Sequence, residues 1–137
     1  MRRRTARNAP RDRGAAAVEF ALLLPLLLLL VFGIIDFGRA LNAQITLTQA
    51  AREGARLDAL GQPNVVSRTQ AAATGLSPVS VAVTACPPNA GAGVNATVKA
   101  GYTLKFLTPL ASISHMFGSS FGSSMTLTAT GVMPCET

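Results

Sequence analysis

Twenty-one consecutive residues, Ala15 to Ile35, contain a single charged side chain, Glu19. As an α-helix this run reaches about 31 Å, enough to cross a hydrocarbon core of about 30 Å. The apolar core of a cleavable secretory signal is only about 7–15 residues and is followed by a small-x-small site. Here the run is longer and is followed by Asp36-Phe37-Gly38-Arg39. A retained membrane helix over 15–35 is therefore expected. Pro25 lies inside it, lacks an N–H and opposes the carbonyl of Ala21, so it is expected to kink or loosen the helix there.

The 137 residues carry a formal net charge of +6, and that charge is concentrated. Between residues 1 and 14, six arginines (Arg2, Arg3, Arg4, Arg7, Arg11, Arg13) stand against Asp12, a side-chain balance of +5. Nucleic-acid binding calls for basic residues spread over a folded face with aromatics interleaved. None of the aromatics lies in the basic arm, so nucleic acid is not an expected partner. Arginines just before an apolar span instead hold that end in the cytoplasm. The arm has no apolar periodicity and is expected to be disordered.

Helical spacing continues beyond the span. Leu41, Ile45, Thr48, Ala51, Arg52 and Ala55 recur at three or four residues, with Gln44, Gln49, Glu53 and Arg56 on the other side. This stalk is expected to end near Leu60, before Gly61 and Pro63. Asn64 is positioned to cap a short second helix over 65–74, ended by Gly75. The apolar period then changes to two. Val79–Thr84, Val94–Phe106 and Met125–Thr130 read as three antiparallel strands, whose apolar face the second helix and the stalk are available to cover. Between the last two, a helical turn is expected near Leu110–Phe117, then a flexible Gly/Ser loop. The fold class is α+β: a long N-terminal transmembrane and stalk helix, then a small three-stranded antiparallel sheet. The expected divisions are a leader (1–14), a transmembrane helix (15–35), a stalk (36–61) and a small α+β domain (62–137).

Glu19 is the residue out of place. An ionised carboxylate in a membrane helix costs about 2.5–3.5 kcal/mol on insertion scales. Nearness to the interface explains it in part. Its spacing from Gly14 suggests more: a cut after Gly14 would place a new amine on Ala15, one helical turn from Glu19.

Gly14-Ala15-Ala16-Ala17-Val18-Glu19-Phe20 resembles the processing site of type IV prepilins. The longer stretch Arg13–Arg56 resembles TadE-like pseudopilins of the tight-adherence (Flp pilus) system, with Glu19-Phe20 and Pro25 where that family has them. The resemblance implies cleavage between Gly14 and Ala15 by a prepilin peptidase. It gives Glu19, with Phe20 and Pro25, a part in assembly, Glu19 neutralising an N-terminal amine of its own chain or of a neighbour. The implied partners are the bacterial inner membrane, the peptidase, other pilin and pseudopilin subunits and Tad assembly proteins. The small domain would then be periplasmic. Two alternatives remain at this level: an uncleaved signal-anchored periplasmic binding domain, and a pseudopilin of a type II secretion or DNA-uptake system.

In an oxidising compartment Cys86 and Cys135, following the first and third strands, are expected to form a disulfide at one end of the sheet. A metal or redox pair is the alternative, but there is no C-x-x-C and His115 is the sole histidine. No metal site, cofactor-binding motif or catalytic constellation is expected. His115 is read as a surface residue, Asp36–Arg39 as a local i,i+3 ion pair, and Arg52, Glu53 and Arg56 as a solvated stalk face.

Overall fold

The computed structural model describes residues 12–91, 93–107 and 124–135. The basic arm up to residue 11, His115, and the turn and loop expected over 108–123 lie outside the described residues.

A single helix, α1 (Asp12–Ala59, 48 residues), forms both span and stalk. It runs through Pro25 without leaving the helical state. It stops at a turn where Gly61 has φ +64° and donates to the carbonyl of Asp58 at 2.9 Å, a left-handed position suited to glycine. Helix α2 (Val65–Ala72) follows, then β1 (Val79–Thr84), β2 (Asn95–Lys105) and β3 (Ser124–Pro134). The α+β architecture is as expected: the strands form one antiparallel sheet in the order β1-β2-β3. The register is fixed by burial, with Val81, Ala100 and Ala129 aligned across the three strands, then Val83, Val98 and Gly131. Ser80, Thr84, Lys99, Thr103, Thr126, Thr128 and Thr130 occupy the exposed face.

Asn64 sits at the α2 N-cap, but its side chain makes no capping bond, contrary to expectation. Its φ of 63° is left-handed, and its carbonyl instead accepts from Ser67 Oγ (3.0 Å) and Arg68 N (3.0 Å). A left-handed residue does not have the extended backbone from which a cap side chain reaches back to the first turn.

The sheet lies lengthwise on α1. Gln44 Nε2 donates to the Thr128 carbonyl at 2.9 Å, and further along Gly131 abuts the Ala51 backbone. Seven helical residues advance about 10 Å, as do three strand residues, so β3 runs along the helix axis. The buried side of the stalk is Asp36, Ala40, Ala43, Leu47, Ala50, Ala51, Gly54, Ala55 and Asp58.

This corrects the helical phase expected from the bulky residues. Ala51 and Ala55 are buried, but Leu41 and Ile45 are 51% and 59% exposed. The reason is distance. A Cβ on Gly131 would overlap the Ala51 carbonyl, and a Cβ on Gly54 would overlap Thr69 Oγ1 and come within 3.1 Å of Val98 Cγ1. Sheet and α2 approach α1 at backbone contact, which small residues permit and branched ones do not.

Candidate functional site

The N-terminal half of α1 carries the residues expected to matter for processing and assembly. Gly14, Ala15, Glu19, Phe20 and Pro25 all lie on it and all are exposed. A Cβ on Gly14 would meet nothing within 4 Å. Around them the helix is bare: the most apolar 18-residue window has mean hydropathy 2.8 and none of it is buried by the rest of the chain. A core helix of a soluble protein of this hydropathy would be covered. Leu22, Leu26 and Ile34 are each more than 60% exposed. A surface of this size and uniformity is stable in lipid, where the helix satisfies its own backbone and the side chains need no protein partner.

At the other half of α1, side chains of the stalk bind the sheet, and these the sequence did not reveal. Asp36 is 3% exposed, and its Oδ1 accepts the backbone N–H of Leu107 at 3.1 Å and Arg39 Nη1 at 3.3 Å. The expected Asp36–Arg39 pair is therefore present, but it does more than brace the helix. Arg39 Nη1 also donates to the Lys105 carbonyl at 3.4 Å, so both members hold the end of β2. Near the far end of α1, Asp58 Oδ2 accepts the backbone N–H of Cys86 at 3.0 Å. The two carboxylates are about 33 Å apart along the axis, one at each end of the sheet. Only an i,i+3 spacing hinted at either; their partners are backbone N–H groups 71 and 28 positions away.

Cys86 and Cys135 are joined in a disulfide with Cα atoms 5.8 Å apart, at the Asp58 end of the sheet. The Cys135 N–H donates to the Val94 carbonyl at 3.0 Å, fixing the strand end beside it. Arg52, Glu53 and Arg56 lie on the exposed side, with Glu53 and Arg56 3.7 Å apart. Among the described residues no three His, Cys, Asp or Glu side chains converge as a metal site would require. Shallow concavities are present among the described residues. One lies on the open sheet face around Gly101, and another lies between Arg39, Thr46, Leu76 and Tyr102.

The model of the family of TadE-like proteins matches residues 14–56. Over that segment the chain is similar to TadE-like proteins. The match begins at Gly14, ends three residues before the end of α1 and stays entirely on that helix. The likeness covers about a third of the chain. The sheet lies outside the matched segment. No curated protein and no solved structure gives a significant match to the chain. The matched helix thus has two surfaces: a bare apolar half, and a half whose small-residue side is occupied by the sheet.

Proposed function

We propose that this protein is a minor pilin-like subunit, a pseudopilin, that supports assembly of a Tad/Flp-type pilus for adhesion or secretion. It is made as a single-pass inner-membrane precursor with residues 1–14 in the cytoplasm and the sheet in the periplasm. A prepilin peptidase cuts the Gly14–Ala15 bond. Residues 15–35 then anchor the mature protein, and residues 36–61 form the rod that carries the 62–137 domain. The role is structural, with no catalytic group.

The observation that carries this reading is the start of the TadE-like match at Gly14, on a helix whose following residues are exposed and, Glu19 apart, apolar. Gly14 presents no side chain beside the scissile bond, and its surroundings are open. After cleavage Glu19 falls in the first turns of the mature helix. There the uncompensated N–H groups and the new ammonium give a carboxylate a favourable field. In a lipid-facing helix that field, from its own chain or a neighbour's, offsets the cost of the charge. The stalk side turned away from the sheet carries exposed Leu41 and Ile45, which leaves an apolar ridge open to helices of other subunits.

The test is the N-terminus of the protein recovered from native membranes, together with the Glu19→Ala variant. Processing with loss of pilus assembly in that variant supports the reading. Normal assembly in Glu19→Ala would remove the role given to Glu19.

A further inference from the structure

The sheet end held by Asp36 and Arg39 is placed at a defined depth relative to the anchor. With 15–35 filling the hydrocarbon core, Asp36 stands at its edge and Arg39 about 5 Å above it. The headgroup layer of one leaflet is about 5–7 Å thick. Residues bonded to Asp36 and Arg39 therefore lie within that layer. They are Leu107, through its N–H (3.1 Å), and Lys105, through its carbonyl (3.4 Å).

The side chains there suit that layer. Leu107 is 69% exposed and Phe37, next to Asp36 on α1, is 66% exposed, so two apolar groups stand open among the described residues at this level. Ile34 and Ile35, in the turn of α1 just before Phe37, are exposed as well. Met125, opposite Leu104 on β3, is a further exposed apolar group at this end. The charged groups are Lys105, exposed, and Arg39, partly exposed; the neighbouring carboxylate Asp36 is buried against the protein. Apolar side chains beside outward cations match an acyl boundary topped by phosphates.

We infer that this end of the sheet seats on the bilayer, with Leu107 and Phe37 at the acyl boundary and Lys105 and Arg39 at lipid phosphates. The domain is then not a head swinging at the tip of a rod. It is docked on the leaflet from which the stalk emerges, and it must leave that surface when the subunit is drawn into an assembly. The inference rests on residues 15–35 spanning the bilayer and is independent of cleavage at Gly14.

The chain contains no tryptophan, so single-Trp variants report depth directly. Full-length protein carrying Leu107→Trp, Phe37→Trp, Thr84→Trp or Leu27→Trp is reconstituted in vesicles of phosphatidylethanolamine and phosphatidylglycerol. These contain phosphatidylcholine brominated either close to the headgroup or near the acyl terminus. Leu27→Trp reports the span, and Thr84→Trp the far end of the sheet, about 33 Å up the axis. The expected result is about two-fold quenching of Leu107→Trp and Phe37→Trp by the shallow bromines, weaker quenching by the deep ones, and none for Thr84→Trp. Thiol titration of each variant, which should find the disulfide closed, checks the fold. Deep quenching of Leu27→Trp with Leu107→Trp as unquenched as Thr84→Trp would overturn the seating and leave the anchor standing. Loss of quenching at Leu27→Trp would overturn the spanning helix itself.

Discussion

The Oδ1 atom of Asp36 accepts the backbone N–H of Leu107 at 3.1 Å across 71 positions of sequence. A residue at the mouth of the membrane span thereby fixes the end of the central strand. Asp58 does the same for Cys86 near the other end of the helix, so the rod and the sheet are fastened together at both ends.

Removing the lower fastening takes the carboxylate acceptor from the Leu107 N–H and from Arg39. Asp36→Ala is expected to cost about 1–3 kcal/mol, and Asp36→Asn, which keeps an acceptor oxygen, less. Hydrogen exchange in detergent micelles should show faster exchange at the end of β2 in Asp36→Ala, with the Thr84 end unchanged. Uniform acceleration along the sheet would mean that the bond is not a local pin.

Backbone contact between α1 and β3 makes Gly131 intolerant of any side chain. Gly131→Ala drives a Cβ into the Ala51 carbonyl and should destabilise by about 1–3 kcal/mol. Gly101→Ala meets only the Ser80 hydroxyl, at 2.6 Å, a side chain that can turn away, and should cost much less. Urea denaturation of the two variants side by side checks the difference, which disappears if the helix and sheet are further apart than described.

The buried phase of the stalk predicts an asymmetry between two leucines. Leu47 is fully buried, so Leu47→Ala should cost about 2–5 kcal/mol. Leu41 is half exposed on the opposite side, and Leu41→Ala should leave the isolated subunit within about 0.5 kcal/mol of the parent. Thermal melts monitored by circular dichroism read both. Equal losses would restore the phase suggested by the bulky residues.

Strands and helix were largely legible in the sequence, and their arrangement was not. Alternation in Val79–Thr84 located β1 to the residue, because one face of each strand meets the core and the other meets solvent. The disulfide could be expected from two cysteines following the first and third strands. The stalk face was misread because hydrophobic periodicity weights Leu41 and Ile45. The packing selected Ala40, Ala43, Ala50 and Gly54, whose value lies in the space they leave empty. Asp36 and Asp58 were unreadable as clamps because a backbone N–H leaves no mark in the sequence of its partner.

The disulfide closes a loop with a sequence separation of 49 residues at the Asp58 end. Reduction, or Cys86→Ser with Cys135→Ser, is expected to lower stability by about 4 kcal/mol through the entropy returned to the unfolded chain. Urea midpoints with and without reductant measure it, and an unchanged midpoint would show that the clamps alone hold that end.

The central claim is that this chain works as a processed, pilin-like subunit, and its N-terminus decides that most directly. Intact mass and N-terminal sequencing of the protein extracted from native membranes should find Ala15 as the first residue, the arginine-rich arm gone and Glu19 fifth in the mature chain. A protein that retains Met1 and the whole arm would contradict the account.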